Sequence, residues 1–148
     1  MYAPGDVRLA ERGEPRLVEP SDAIVRLSAS CICGSDLWPY RGVEELEWPS
    51  PMGHEYVGVV EEVGEDVRTI ERGQFVVGSF FASDNTCEIC RAGYQSSCVS
   101  RVPIGAEGAQ AELLRVPFAD GTLVATPDLP ADDLIPSLLA ASDVLGTG

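Results

Sequence analysis

Three observations predict a mostly β domain for this 148-residue chain. Its 15 glycines and 11 prolines are spread along the whole length, a punctuation that suits short strands and turns better than long helices. β-Branched runs of strand length recur between those breaks, and such side chains fit a pleated, half-buried surface. Hydrophobic residues make up 45% against 23% charged, enough for one domain with its own core and unlike a disordered chain.

Met1 to Val18 reads as short extended pieces between strands, broken at Pro4-Gly5, Gly13 and Pro15. Ala23 to Ala29 is a β-branched run that delivers the chain to Cys31-Ile32-Cys33-Gly34-Ser35-Asp36, so the first reactive side chains sit at a strand end. Arg41 to Pro51 is a loop anchored by Trp48, Pro49 and Pro51. Tyr56 to Val63 and Gln74 to Gly78 are strand-like, with Gly64-Glu65-Asp66 turning between them. This is the rhythm of a barrel or a sandwich. Residues 84–98 leave it as a loop excursion, and Ala109 to Val116 and Gly121 to Ala125 resume it as strands.

Pro127-Asp128-Leu129-Pro130 marks a boundary, which divides the chain into a main domain, 1–130, and a helical segment, 131–148. Ala131-Asp132-Asp133 places acids at a helix start, where the positive end of the helix favours them. Leu134, Ile135, Leu138 and Leu139 form one apolar stripe, and Pro136 is compatible with the first turn only. The chain stops at Asp143-Val144-Leu145-Gly146-Thr147-Gly148, in what reads as the opening of a further element. That points to a following domain outside these residues, and to an apolar C-terminal face that a partner, a homo-oligomer or that domain covers.

The formal net charge is −14, and all ten basic residues are arginine. Such a surface repels nucleic acid and anionic membrane, and no run of arginines interleaved with aromatics offers a local exception. No apolar stretch reaches the roughly 20 residues of a membrane span, and Met1 to Asp6 lacks the basic and apolar regions of a signal peptide. Five cysteines is an odd number, and four of them, all but Cys31, sit in metal-like contexts, which fits a reducing compartment better than a disulfide framework. A cytoplasmic location follows as the expectation.

Cys87, Cys90 and Cys98 fall on a C-x2-C-x7-C pattern, which can turn three thiolates toward one ion. Asp84 stands where a fourth donor of the same repeat would be, and tetrahedral zinc takes four such donors. The alternative is a lobe without metal, carrying three free thiols open to oxidation.

A second set of donors is Cys33, His54 and Asp143. Three protein donors plus an open position are what a reactive zinc site needs. His54 is the only histidine and lies in Gly53-His54-Glu55, where the adjacent acid can orient or tune a metal ligand. Cys31, two residues before Cys33, is expected to face the other way as a small buried residue.

Together these segments resemble the zinc-dependent medium-chain alcohol dehydrogenases. Cys33-Gly34-Ser35-Asp36, Gly53-His54-Glu55, the Gly64 to Val76 region, the cysteine lobe and Asp143 to Gly148 occur in the family's order over nearly the whole chain. The resemblance implies a GroES-like β-barrel as catalytic domain, with a Rossmann domain for NAD or NADP elsewhere. No Gly-x-Gly-x-x-Gly follows a strand here, so these residues do not encode a dinucleotide site.

By the same resemblance, Cys33, His54 and Asp143 are ligands of a catalytic zinc, and Asp84, Cys87, Cys90 and Cys98 those of a structural zinc. Ser35 takes the substrate's hydroxyl proton. Asp36 and Glu55 support the ligands, and Thr147 lies near the nicotinamide. The implied substrate is a small alcohol or aldehyde, with one or two zinc ions per chain. Two positions depart from the family. Trp38 stands where many relatives have a proton-passing histidine, and reads either as an apolar wall with Tyr40 and Trp48 or as a core anchor. Asp84 stands where the structural site has its first cysteine, and thiolate is the softer donor. Outside the enzyme class, the chain also reads as a stand-alone zinc-binding interaction module, or as a redox sensor built on the lobe.

Overall fold

Seven strands organise the computed structural model, which describes residues 1–148. They are β1 (Ala23–Ser30), β2 (Tyr56–Val63), β3 (Phe75–Gly78), β4 (Phe81–Ala82), β5 (Val102–Pro103), β6 (Leu113–Val116) and β7 (Leu123–Ala125). Five form one sheet in the order β6-β1-β2-β3-β7, and β4 pairs with β5 apart from it. Every pairing is antiparallel. The architecture is mostly β, one five-stranded antiparallel sheet beside a two-stranded one.

The central pair sets the geometry of everything that follows. β1 and β2 run from Ala23 opposite Val63 to Ser30 opposite Tyr56, with irregularities after Ile24 and after Leu27. Ala23, Val25, Tyr56, Val60, Val76, Leu114 and Val116 from four strands pack into one cluster with Ile70, Ala82, Ile104, Ala109, Ala119 and Leu123. Alternation puts these side chains on one face of the sheet. On the other face, Arg26 pairs with Glu61 at 2.7 Å across the strands.

Three stretches differ from the sequence expectation. The segment before Val18 forms no strand beyond a single bridge between Ala3 and Asp6. Pro4-Gly5, Gly13 and Pro15 break it before a strand-length apolar alternation can build. Ala109 and Gln110 lie outside β6 because their amides donate instead to Gly53 and Met52, at 2.8 and 2.9 Å. Gly121 and Thr122 complete a helical turn rather than opening a strand, with the Thr122 hydroxyl donating to the Pro117 carbonyl at 3.0 Å.

Five short helices complete the chain: α1 (Leu37–Tyr40), α2 (Glu88–Arg91), α3 (Ala119–Thr122), α4 (Ile135–Ala140) and α5 (Val144–Thr147). Pro136 sits in the first turn of α4, where a missing amide hydrogen costs nothing. α4 packs on β1 and β2, so the C-terminal segment returns to the central strands and carries Asp143 to their end. Leu138 and Leu139 are half-buried there, whereas Leu134, Val144 and Leu145 are exposed.

Candidate metal centres

The β1–β2 register decides which side chains meet. Beyond the Ser30–Tyr56 pair, the chain leaving β1 and the chain entering β2 stay side by side, and this brings Cys33 and His54 to one mouth. Cys33 caps a 3-10 turn, Gly34–Asp36. Asp36 folds back, one carboxylate oxygen accepting from the Cys33 amide at 2.8 Å and the other lying 3.5 Å from His54 Nδ1.

Gly53 makes the approach of His54 possible. It has φ +86°, and a Cβ there would lie 2.8 Å from the Gln110 backbone nitrogen. Only glycine combines that dihedral with that proximity. With Nδ1 held by Asp36, Nε2 faces Asp143 Oδ2 at 3.5 Å and Ser35 Oγ at 3.5 Å. Cys33 Sγ lies 3.8 Å from the same Asp143 oxygen.

These spacings fit a single ion. Zinc bonds of 2.0 to 2.3 Å in tetrahedral array place neighbouring donors about 3.3 to 3.8 Å apart. One thiolate, one carboxylate and one neutral imidazole also balance a divalent charge. The local field points the same way. The hydrogen bond to Asp36, with Cys33 adding to it against the opposing effect of burial, pushes His54 up to about 9. Burial pushes Asp36 up, but His54 and the Cys33 amide outweigh it and hold the carboxyl below its ordinary value. The negative groups around His54 thus set up a local field that attracts positive charge.

Glu55 is 1% exposed and offers an oxygen to the same group of donors, all within 4.8 Å of one another. Cys31 is half-buried rather than buried, and its thiol donates to Glu55 Oε2 at 2.9 Å. Burial, then the hydrogen bond to Glu55, pushes that thiol up to about 12. Nothing in the sequence spacing announces this contact, because it depends on the register of two strands. Phe80 is likewise visible only in the fold: its ring stands edge-on to His54, centroids 6.3 Å apart. Trp38 is 57% exposed and so is not a core anchor; Trp48 is half-buried and Tyr40 exposed. Thr147 is exposed in α5, its hydroxyl donating to the Asp143 carbonyl at 3.2 Å.

The second cluster is Asp84, Cys87, Cys90 and Cys98, whose donor atoms again lie within 4.8 Å of one another. Cys87 caps α2 and takes the Cys90 amide on its sulfur at 3.4 Å. Cys98 sulfur receives the amides of Asp84 and Ser100 at 3.5 and 3.3 Å. Backbone amides aimed at sulfur favour thiolate, and they hold Cys87 below the usual thiol value. Burial and the neighbouring sulfurs push Cys90 up to about 12. Asp84 Oδ1 accepts from the amides of Thr86 and Cys87 at 2.9 and 3.1 Å, which keeps its carboxyl far below the ordinary range.

Comparison with known proteins agrees with this architecture. The alcohol dehydrogenase GroES-like domain family matches residues 19–128. "Zinc-type alcohol dehydrogenase B" of Aspergillus flavus is 38% identical over 130 residues, covering 86% of this chain and 30% of that protein. "Medium chain reductase/dehydrogenase ucsI" of Acremonium sp. is 38% identical over 99% of this chain and 51% of its own length. Among solved structures, the alcohol dehydrogenase TADH from Thermus sp. ATN1 superposes with a TM-score of 0.88 at 37% identity, covering 99% of this chain and 44% of that one. This chain therefore belongs to the zinc-type medium-chain alcohol dehydrogenase family and carries its GroES-like N-terminal domain. It spans about half, or less, of the length of these relatives.

Proposed function

We propose that Cys33, His54 and Asp143 hold a zinc ion that serves NAD(P)-linked interconversion of a small alcohol and its aldehyde or ketone. The observation that carries this reading is the convergence of His54 Nε2 and Cys33 Sγ on Asp143 Oδ2, at 3.5 and 3.8 Å, with Ser35 Oγ 3.5 Å from His54 Nε2. A zinc ion bound there supplies Lewis acidity that makes a substrate hydroxyl easier to deprotonate. Ser35 Oγ, beside the three donors, receives that proton and passes it outward, Ser35 itself being exposed.

Asp36 fixes the His54 tautomer, with the proton on Nδ1 and the lone pair on Nε2. Phe80, edge-on to His54, walls one side of the mouth. Trp38 offers no imidazole for a longer relay, so the proton leaves from Ser35 directly to solvent. Thr147, next to Asp143 on an exposed turn, faces a dinucleotide held by another domain. Residues 1–130 act as the catalytic domain, and the helical segment 131–148 supplies Asp143 to it. A second zinc on Asp84, Cys87, Cys90 and Cys98 is structural and closes the loop.

Metal content tests the reading. About two zinc ions per chain are expected in the wild type, and about one in His54→Ala and in Asp143→Ala. A wild-type value of one, unchanged by either substitution, overturns the assignment of the first site.

The exposed leucines and valines of the C-terminal segment favour a second reading, a zinc-binding module that docks to a partner through Leu134, Val144 and Leu145, which are 52%, 55% and 75% exposed. Size-exclusion chromatography separates the two. Self-association relieved by Leu145→Glu supports a docking face, and a monodisperse monomer opposes it.

A further inference from the structure

Cys31 belongs to neither donor cluster, yet its side chain has one defined partner. Ser30 pairs with Tyr56 at the end of the β1–β2 ladder, so the next residue outward on each side, Cys31 and Glu55, face one another. The thiol donates to Glu55 Oε2 at 2.9 Å. The Cys31 carbonyl accepts from Gln110 Nε2 at 3.5 Å, which ties it to the segment packed over Gly53.

The other oxygen, Glu55 Oε1, is buried and has no hydrogen-bond partner. A carboxylate that is 1% exposed ordinarily has both oxygens satisfied, and an orphaned one asks for a ligand. Glu55 also offers an oxygen to the group formed by the donor atoms of Cys33, His54 and Asp143, all within 4.8 Å of one another. The Cys31 thiol thus engages one oxygen of a carboxylate that borders the proposed metal position and whose other oxygen is unpartnered.

We propose that Cys31 is a positioning residue whose thiol keeps Glu55 in reserve, behind the three-donor cluster rather than bound to its metal. The inference rests on the reading that Cys33, His54 and Asp143 hold zinc. Removing the thiol leaves both Glu55 oxygens without a donor, and the carboxylate then joins the metal, raising its coordination number by one. A serine at position 31 keeps a donor of nearly the same reach and keeps Glu55 where it is.

Cobalt(II) in place of zinc reads this directly, because four-coordinate Co2+ absorbs visible light far more strongly than five-coordinate Co2+. The chain is loaded with Co2+, and the spectrum of His54→Ala, which retains only the cysteine lobe's metal, is subtracted. Wild type and Cys31→Ser are expected to show the intense band, Cys31→Ala a several-fold weaker one, and Cys31→Ala/Glu55→Gln the intense band again. Cys31→Val, close in volume and without a strong donor, must behave as Cys31→Ala does, and it carries the test should Cys31→Ala not fold. Equal bands in wild type, Cys31→Ala and Cys31→Val overturn the proposal while leaving the zinc reading intact. No difference between wild type and His54→Ala overturns the zinc reading, and this inference with it.

Discussion

The ring of Tyr56 occupies the space that a side chain at position 78 would need. Tyr56 and Gly78 are partners across β2 and β3, and a Cβ built on Gly78 would fall 2.0 Å from Tyr56 Cζ. Tyr56 is fully buried, and its hydroxyl has no partner. The side chain is therefore held by packing alone. Because Glu55 and His54 immediately precede it, the glycine also fixes where that segment enters β2.

Gly78→Ala is expected to destabilise the fold by about 3 kcal/mol, at the upper end of the range for overpacking a core. Urea denaturation followed by far-UV circular dichroism measures it. A change under about 0.5 kcal/mol, the scale of an inconsequential surface substitution, would show that Tyr56 swings aside freely.

Asp22 gives a second prediction. It is 1% exposed and takes the amides of Val18 and Glu19 at 2.9 Å each, together with Arg115 at 2.9 Å. Arg115→Met strips the only cation from a buried carboxylate, which should cost about 3 to 5 kcal/mol. Asp22→Asn in the same background should recover part of that loss. Thermal unfolding of the three variants checks the order.

A pH dependence follows from Asp120. Its carboxylate accepts from the amides of Arg68 and Thr69 and from the Thr69 hydroxyl at 2.6 to 2.9 Å. Burial pushes this carboxyl up, but those donors outweigh it and hold it below the ordinary value. A carboxyl depressed by folding stabilises above its unfolded value, near 3.9, and the contribution is lost as pH falls through its folded value. Asp120→Asn should therefore cost about 1 kcal/mol at pH 7, with the gap to wild type closing in strongly acid solution. A gap that persists unchanged in acid would assign the effect to shape rather than charge.

Zinc release from the cysteine lobe tests Asp84. With EDTA as competitor and a chromogenic chelator as readout, Asp84→Cys should release zinc more slowly than wild type and Asp84→Ala faster, in line with donor softness. Identical release from wild type and Asp84→Ala would remove the carboxylate from the ligand set. Retention of the metal through mild peroxide would in turn speak against a sensing role for the lobe.

How much of this was legible in the sequence varies with the range of the interaction involved. β1 and β2 carry dense β-branched runs, Ala23 to Val25 and Val57 to Val63, and both strands form where that pattern puts them. The spacing of Cys87, Cys90 and Cys98 is local, and the structure gathers them with Asp84. Ala109 to Glu112 looked like the start of β6, but its amides are claimed by the Met52–Gly53 segment, a partner more than fifty residues away in sequence. Cys31 looked like an inert core residue because alternation holds only while the strand lasts, and β1 ends at Ser30.

The pairing of Ser30 with Tyr56 has a consequence for how the chain reaches its native state. Slipping β1 against β2 by one residue would turn each side chain to the opposite face, and Cys33 and His54 would no longer share a mouth with Asp143. On the proposed reading, an ion that needs all three donors would bind only the correctly paired chain, and its uptake would bias folding toward a single strand alignment. Occupancy of the proposed centre would then act as a proofreading signal for the sheet behind it.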